Sequence, residues 1–131
     1  MERLRYPTFV SAAGVKVEQD KELGALLVAG TTYYADLGPG VANSRLIGTH
    51  LHWDATFGGT GTWDASGLPH VTPHATSGWV TQTAPSSVTM TTGAVGDDLQ
   101  QWIDVEAYRV RLVVPCTTGG RLLFTVTTKE D

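Results

Sequence analysis

The closing segment of the chain constrains the fold more than any other stretch. Residues 108–114 and 121–128 are mostly apolar or β-branched, and residues 115–120 between them contain one proline and two glycines. Two β-prone runs around a short turn cluster are typical of a β-hairpin. We therefore predict that the chain ends in two strands that pair side by side in one antiparallel sheet.

Composition extends this prediction to the whole chain. The 131 residues include 19 Thr, 14 Val and 15 Gly, and no long stretch carries an apolar stripe at helical spacing. Thr and Val suit a pleated surface, and Gly suits tight turns. We predict one all-β domain over residues 1–131, a jelly-roll-like antiparallel β-sandwich with about seven to nine short strands. Residues 1–14, which contain Pro7, are a candidate extended N-terminal arm.

Charge and cysteine content argue against several classes of function. The net charge of −4 disfavours nucleic acid as a partner, because phosphate binding needs a basic surface. No apolar run is long enough to span a membrane, and the N-terminus lacks the apolar core of a signal peptide. The lone Cys116, in the predicted closing turn, is expected to be a free structural thiol in a reducing compartment. Arg109 and Arg111, with Arg121 opposite them, are expected to form a solvated sheet face with partners such as Glu106.

A His-x-His pattern lies on the longest strand candidate of the chain. Alternation predicts that Ile47 and Leu51 face the core, whereas His50, His52 and Asp54 share the other face. Two imidazoles and a carboxylate have the chemistry of a metal site, and the pattern resembles the start of a cupin metal centre. A cupin centre also needs a glutamate soon after the second histidine and a histidine on a later strand, and the sequence has neither. We predict no metal and no other cofactor, with His50 and His52 as the residues that come closest to a metal site.

The aromatic residues suggest carbohydrate binding as one alternative. Aromatic rings on a sandwich surface stack on sugar rings, while polar side chains bind the sugar hydroxyls. Trp53 lies on the predicted core face and is set aside. The candidate glycan contacts are therefore Tyr34, Trp63 and Trp79.

The sequence contains no recognisable catalytic pattern. There is no Gly-x-Ser-x-Gly motif, and no base is placed beside Cys116. Asp104 and Glu106 share a strand face, but as like charges they are expected to face water or the nearby arginines. We predict that the protein is not an enzyme.

The order of features resembles the small β-sandwich virion proteins of tailed bacteriophages. The resemblance rests on residues 51–57, 59–64, 78–85 and 108–126, and it spans residues 45–128. It implies a virion structural protein of capsid decoration or head-fibre type, which works through its surface in a multimeric assembly.

These observations lead to one main functional prediction and one alternative. The main prediction is a capsid decoration or cementing protein that binds copies of itself and other virion proteins, such as the major capsid protein. Such a protein is located in the virion and made in the host cytoplasm. Exposed sheet edges need a cover, so Leu4, Tyr6 and Phe9 of the arm are the predicted interface anchors. The alternative is a carbohydrate-binding module of a phage fibre or tail, with a surface glycan as its partner.

Overall fold

The structure is a computed structural model that describes residues 2–38, 46–103 and 107–129. Asp104 and Glu106, named above as a like-charge pair and an arginine partner, lie outside these residues. Twelve strands and no helix are present in the described part: β1 (Glu2–Arg5), β2 (Phe9–Ser11), β3 (Lys16–Val17), β4 (Ala25–Leu27), β5 (Thr31–Asp36), β6 (Leu46–Trp53), β7 (Gly58–Ser66), β8 (Val80–Thr81), β9 (Val88–Met90), β10 (Gly96–Ile103), β11 (Arg109–Thr118) and β12 (Gly120–Lys129).

The strands form two antiparallel sheets that pack face to face as a jelly-roll-like β-sandwich. The five-stranded sheet has the order β1-β12-β6-β10, and β4 also pairs with β12. The seven-stranded sheet has the order β3-β2-β5-β11-β7-β8, and β9 also pairs with β7. The predicted all-β sandwich is therefore confirmed, and its strands outnumber the prediction because several are only two or three residues long.

Alternation along the strands builds one hydrophobic core between the sheets. Ile47 and Leu51 of β6 are fully buried, as the sequence pattern predicts. Trp63 of β7 is also fully buried, and its ring lies 5.5 Å from that of Trp102 and 5.9 Å from that of Phe124. Aromatic side chains from both sheets therefore meet at the centre of the core.

The predicted closing hairpin is wrong, because its two strands lie in different sheets. β11 pairs with β5 and β7, whereas β12 pairs with β1, β4 and β6. The chain crosses from one sheet to the other at Gly119. The crossing is tight: a Cβ atom on Gly120 would lie 2.6 Å from the backbone nitrogen of Phe57. Both strands alternate towards the same core from opposite sides, which produces the sequence pattern of a hairpin without the pairing.

Because of this crossing, Cys116 and Arg121 lie in positions other than those predicted from the sequence. Cys116 lies in β11 rather than in a turn, with its side chain on the inner face, and burial raises the pKa of its thiol. It is a free cysteine, as predicted. Arg121 belongs to β12 and therefore cannot lie across from Arg109 and Arg111 of β11, which removes the predicted three-arginine face.

The predicted N-terminal arm is built into the sandwich over its described residues. β1 pairs with β12 in one sheet, and β2 pairs with β3 and β5 in the other. Residues 2–11 thus pass from the five-stranded to the seven-stranded sheet. No helix long and apolar enough to cross a membrane occurs in the residues that were described.

Candidate functional site

An open groove lies on the outer face of the five-stranded sheet. It runs over β6, β10 and β12 and encloses about 210 Å³. Pockets that enclose a drug-sized ligand usually measure roughly 300–1,000 Å³, so this smaller open groove can contact only part of such a ligand. Its lining mixes apolar side chains with hydrogen-bonding ones: Leu46, Gly48, Thr49, His50, Leu99, Gln100, Gln101, Thr125, Thr127 and Lys129.

Strand alternation explains why Gly48, His50 and Thr125 face outwards, whereas Thr49 is buried. Because Ile47 and Leu51 face the core, the intervening Gly48 and His50 face solvent. The same alternation on β12 turns Thr125 outwards beside the fully buried Phe124. The floor of the groove is open at Gly48, which has no side chain to fill it.

His50 lines the groove, and it forms a hydrogen-bonded cluster with His52 and Asp97, which lie beside the groove lining. The Asp97 Oδ1 atom lies 2.8 Å from His50 Nε2 and 2.7 Å from His52 Nδ1. Since a carboxylate oxygen only accepts hydrogen bonds, both ring nitrogens carry the proton and donate it. The cluster therefore fixes the tautomer of each neutral imidazole and leaves the second ring nitrogen of each available to a ligand.

The cluster is exposed and electrostatically coupled. The side chains of His50, His52 and Asp97 are 45%, 44% and 55% exposed. The hydrogen bonds from His52 and His50 lower the pKa of the Asp97 carboxyl from its ordinary value. Asp97 is thus a carboxylate, ionised at neutral pH, in hydrogen-bond contact with two imidazoles.

The predicted partnership between the histidines and Asp54 does not form. Asp54 Oδ1 instead accepts hydrogen bonds from the backbone nitrogens of Thr56 at 3.1 Å and Phe57 at 3.0 Å, which closes the turn after β6. Within residues 2–38, 46–103 and 107–129, no group of three or more His, Cys, Asp or Glu side chains is arranged to hold a metal ion. His50 and His52 are engaged by Asp97.

Two of the three predicted glycan contacts lie together on the opposite side of the molecule. The guanidinium carbon of Arg111 lies 4.7 Å from the ring centre of Tyr34 and 4.4 Å from that of Trp79. Both rings are therefore in cation–π contact with the protein's own arginine. The third candidate, Trp63, is fully buried and cannot reach a ligand, so its assignment as a glycan contact is corrected.

Arg111 anchors a long loop over the outer face of the seven-stranded sheet. Its side chain is only 6% exposed and pairs with Asp64 at 2.9 Å. It also donates hydrogen bonds to the carbonyl oxygens of Pro73 at 2.6 Å and Ala75 at 2.8 Å. The neighbouring Arg109 donates to a third loop carbonyl and pairs with Asp36, and it lies on the same covered face. The solvated arginine face predicted from the sequence is wrong, because residues 67–79 cover it.

The predicted interface anchors Leu4, Tyr6 and Phe9 lie in different environments. Leu4 on β1 is 57% exposed. Tyr6 is half-buried beneath the ammonium group of Lys21, which lies 5.9 Å from its ring centre. Phe9 is fully buried and packs against Tyr33 and Phe124, so it is a core residue and cannot anchor a partner.

Sequence reasoning missed Asp97, the residue that organises the site. Asp97 stands opposite His52 only because β10 pairs with β6 in one particular register. The sequence around Asp97 predicts a loop with two adjacent aspartates rather than the start of β10, and nothing local indicates which strand it joins. Its one signal was indirect: an exposed His-x-His face needs a polar neighbour across the sheet.

The fold resembles solved carbohydrate-binding modules. A family 29 carbohydrate-binding module from Piromyces equi matches with a TM-score of 0.50 and 10% identity, over 99% of this chain and 91% of that chain. The C-terminal CBM6 of LamC, a marine laminarinase from Zobellia galactanivorans, gives a TM-score of 0.40 and 11% identity, over 97% and 91% of the two chains. The enzymatically active domain of tailspike protein 4 from bacteriophage CBA120 gives 0.42 and 10%, over 98% of this chain and 19% of that chain.

No protein-family model matches the sequence, and no curated protein matches it. An identity of 10% at a TM-score of 0.50 shows a shared fold alone. This chain is similar to the family 29 module in its β-sandwich architecture.

Proposed function

We propose that the protein is a non-catalytic carbohydrate-binding module and that the groove over β6, β10 and β12 is its glycan site. The observation that carries the proposal is the groove itself, an open surface channel with a bare floor and hydrogen-bonding walls. The similarity of fold to a family 29 carbohydrate-binding module supports the same reading.

The groove lining matches the chemistry of a sugar chain. His50, Gln101, Thr125 and Thr127 offer both donors and acceptors to hydroxyl groups. Leu99, which is 76% exposed, offers apolar surface to the C–H groups of a sugar ring. No aromatic side chain lines this groove among the described residues. Binding therefore depends on hydrogen bonds and shape, and we expect modest affinity for one short oligosaccharide.

Filling the groove tests this proposal. A Cβ atom on Gly48 would lie 3.8 Å from Thr127, an ordinary contact, so Gly48→Leu fits the sheet and places its side chain in the groove. The matched control is Gly67→Leu, because a Cβ atom on Gly67 meets nothing within 4 Å and lies outside the groove lining. The measurement is titration calorimetry against a panel of soluble plant, fungal and bacterial polysaccharides.

We expect the wild type and Gly67→Leu to bind a member of the panel equally well. Gly48→Leu should lose at least about tenfold in affinity, since it removes the space for the ligand. A wild-type protein that binds no polysaccharide, or a Gly48→Leu variant that binds as tightly as wild type, would show that the groove is not a glycan site.

Assembly in a virion is a second proposal, supported by an apolar sheet edge. Leu4 on β1 and Leu26 on β4 are 57% and 56% exposed. Both strands pair only with β12 among the described residues, so their outer edges are open to another strand. In this proposal the protein acts in the virion after synthesis in the host cytoplasm, and self-association covers the edge.

Point substitutions test this second proposal better than deletion of the N-terminal segment, because deletion would remove the core residue Phe9. We expect wild type to form oligomers in sedimentation velocity, and Leu4→Lys with Leu26→Lys to leave a folded monomer. Val95→Lys, at an exposed position before β10 and away from β1 and β4, is the control. A monomeric wild type at high concentration, with no binding to capsids, would contradict virion assembly.

A further inference from the structure

One carboxylate and two imidazoles, those of Asp97, His50 and His52, meet at and beside the groove. Around neutral pH the cluster holds one carboxylate and two imidazoles that are ordinarily uncharged, so its net charge is −1. An imidazole gains its proton between about pH 5 and 7. With both imidazoles protonated, the cluster carries a net charge of +1. Acidification therefore reverses the sign of the charge beside the groove.

The three side chains form one hydrogen-bonded unit, so the reversal of charge concerns all of them together. Both ring nitrogens contact the same carboxylate oxygen, at 2.8 Å for His50 and 2.7 Å for His52. Because one oxygen atom holds both imidazoles, their charges act at the same place beside the groove. About half of each side chain is exposed, so the cluster exchanges protons with solvent. Its contact with a ligand in the groove is through His50, which lines the groove.

We propose that the groove selects saccharides by charge, accepting neutral chains at neutral pH and acidic, carboxylate-bearing chains on acidification, and that His50, His52 and Asp97 set this selectivity. The inference rests on the proposed glycan-binding function of the groove. At neutral pH the Asp97 carboxylate repels an acidic sugar beside it. Once both histidines are protonated, the same position attracts that sugar and donates hydrogen bonds to its carboxylate.

The other charged groups around the cluster do not reverse in this range. Among the described residues of the flanking strands they are Arg121 and Lys129 on β12, Asp98 on β10 and Asp54 after β6. Arginine and lysine stay cationic, and aspartates of ordinary acidity stay ionised, between about pH 5 and 7.5. The imidazoles of His50 and His52 are thus the local groups whose charge changes.

The test compares each polysaccharide of the panel with the same polysaccharide after oxidation of its primary hydroxyls to carboxylates. Titrations at about pH 5 and pH 7.5, at low ionic strength, give four affinities for each pair. Exposed charge pairs are each worth up to about fivefold in affinity. We therefore expect the oxidised form to gain about five- to tenfold on acidification, while the neutral form changes by less than about twofold.

Three variants assign the effect to the cluster. In the His50→Gln, His52→Gln double variant the charge stays at −1, so the oxidised polysaccharide should lose its pH dependence. The Asp97→Asn variant lacks the repelling carboxylate. At pH 7.5 the oxidised polysaccharide should therefore bind this variant a few-fold more tightly than it binds wild type. The control is His70→Gln, an exposed histidine of the loop over the other sheet, which should leave the wild-type pH dependence unchanged.

The outcomes separate the two proposals. Binding of neutral and oxidised forms with the same pH dependence, or a pH dependence that survives loss of both histidines, overturns charge selection and leaves glycan binding intact. If no polysaccharide binds in either form at either pH, both the glycan-binding proposal and the charge-selection proposal are overturned.

Discussion

The outer faces of the two sheets both carry clusters of basic and acidic side chains, but one cluster is buried and the other is exposed. On the seven-stranded sheet, Arg111 pairs with Asp64 beneath a loop, and the two side chains are 6% and 8% exposed. On the five-stranded sheet, two histidines share Asp97 in the open. Each joins a basic side chain to a carboxylate on a neighbouring strand, and the two clusters differ in how deeply they are buried.

Burial or exposure decides whether each cluster contributes to stability or is free to bind a ligand. Charges removed from water need every partner, because a buried charge left alone costs several kcal/mol. The loop carbonyls and the rings of Tyr34 and Trp79 supply those partners to Arg111, and in return the guanidinium fixes the loop. Exposed charges gain little stability, since water solvates them almost as well. The cluster around Asp97 is therefore free to serve ligand binding.

The largest test of this contrast removes one partner from each cluster. Arg111→Ala should lower the free energy of unfolding by about 3–5 kcal/mol, because it leaves the buried Asp64 carboxylate without its partner and releases the loop. Asp97→Ala should cost less than about 1 kcal/mol, as expected for an exposed pair. Urea unfolding followed by tryptophan fluorescence measures both values.

A double substitution sharpens this result. Arg111→Met combined with Asp64→Leu removes both buried charges, and it should recover much of the stability that Arg111→Ala loses. Equal costs for Arg111→Ala and Asp97→Ala would mean that the loop does not bury its pair and that the two faces do not differ.

Replacing one glycine on each face by alanine should give a smaller difference in stability between the two faces. Gly78, in the covering loop, has φ = +88°, and a Cβ atom there would lie 3.1 Å from the side chains of Leu68 and Val71. We expect Gly78→Ala to cost about 1–2 kcal/mol through backbone strain and crowding. Gly48→Ala on the open face should be neutral or stabilise by up to about 1 kcal/mol, because the strand gains a favourable residue without a clash. Thermal unfolding of both variants checks the sign; a stabilising Gly78→Ala would contradict a tightly packed loop.

The sequence predicted which faces of the strands are buried better than it predicted which strands are neighbours. Alternation correctly placed Ile47 and Leu51 in the core and His50 outside it, because a period of two is a local property of an extended chain. The closing strands failed for the same reason. A hairpin and a crossing between sheets both present alternating apolar residues around a glycine-rich turn, and only long-range pairing tells them apart.

The same limit explains the site. His50 and His52 were visible as a pair, but their partner came from the register of β10 on β6, which spans more than forty residues of chain. Arg111 was misplaced because burial of an arginine depends on a loop folding back over the sheet. Polar residues are expected to be exposed by default, and only the structure shows when enough partners converge to bury one.

The smallest expected effect is the pH dependence that Asp97 gives to stability. Hydrogen bonds from His52 and His50 hold the pKa of this carboxyl below its ordinary value in the folded protein. A depressed folded pKa stabilises the native state above the ordinary aspartate pKa, and this stabilisation is lost as the pH falls through the folded value. Between about pH 5 and pH 2.5, wild type should therefore lose up to about 1 kcal/mol more stability than Asp97→Asn.

Urea unfolding of the two proteins at several pH values in that range measures the difference. Other carboxyl groups, such as those of Asp20 and Asp54, titrate in both proteins and cancel in the comparison. Added salt should shrink the difference, because the cluster is exposed and its charges are screened. A difference that stays constant from pH 5 to pH 2.5 would mean that the histidines do not hold Asp97 in the folded state, and the open face would then lack the coupled cluster on which its charge selectivity depends.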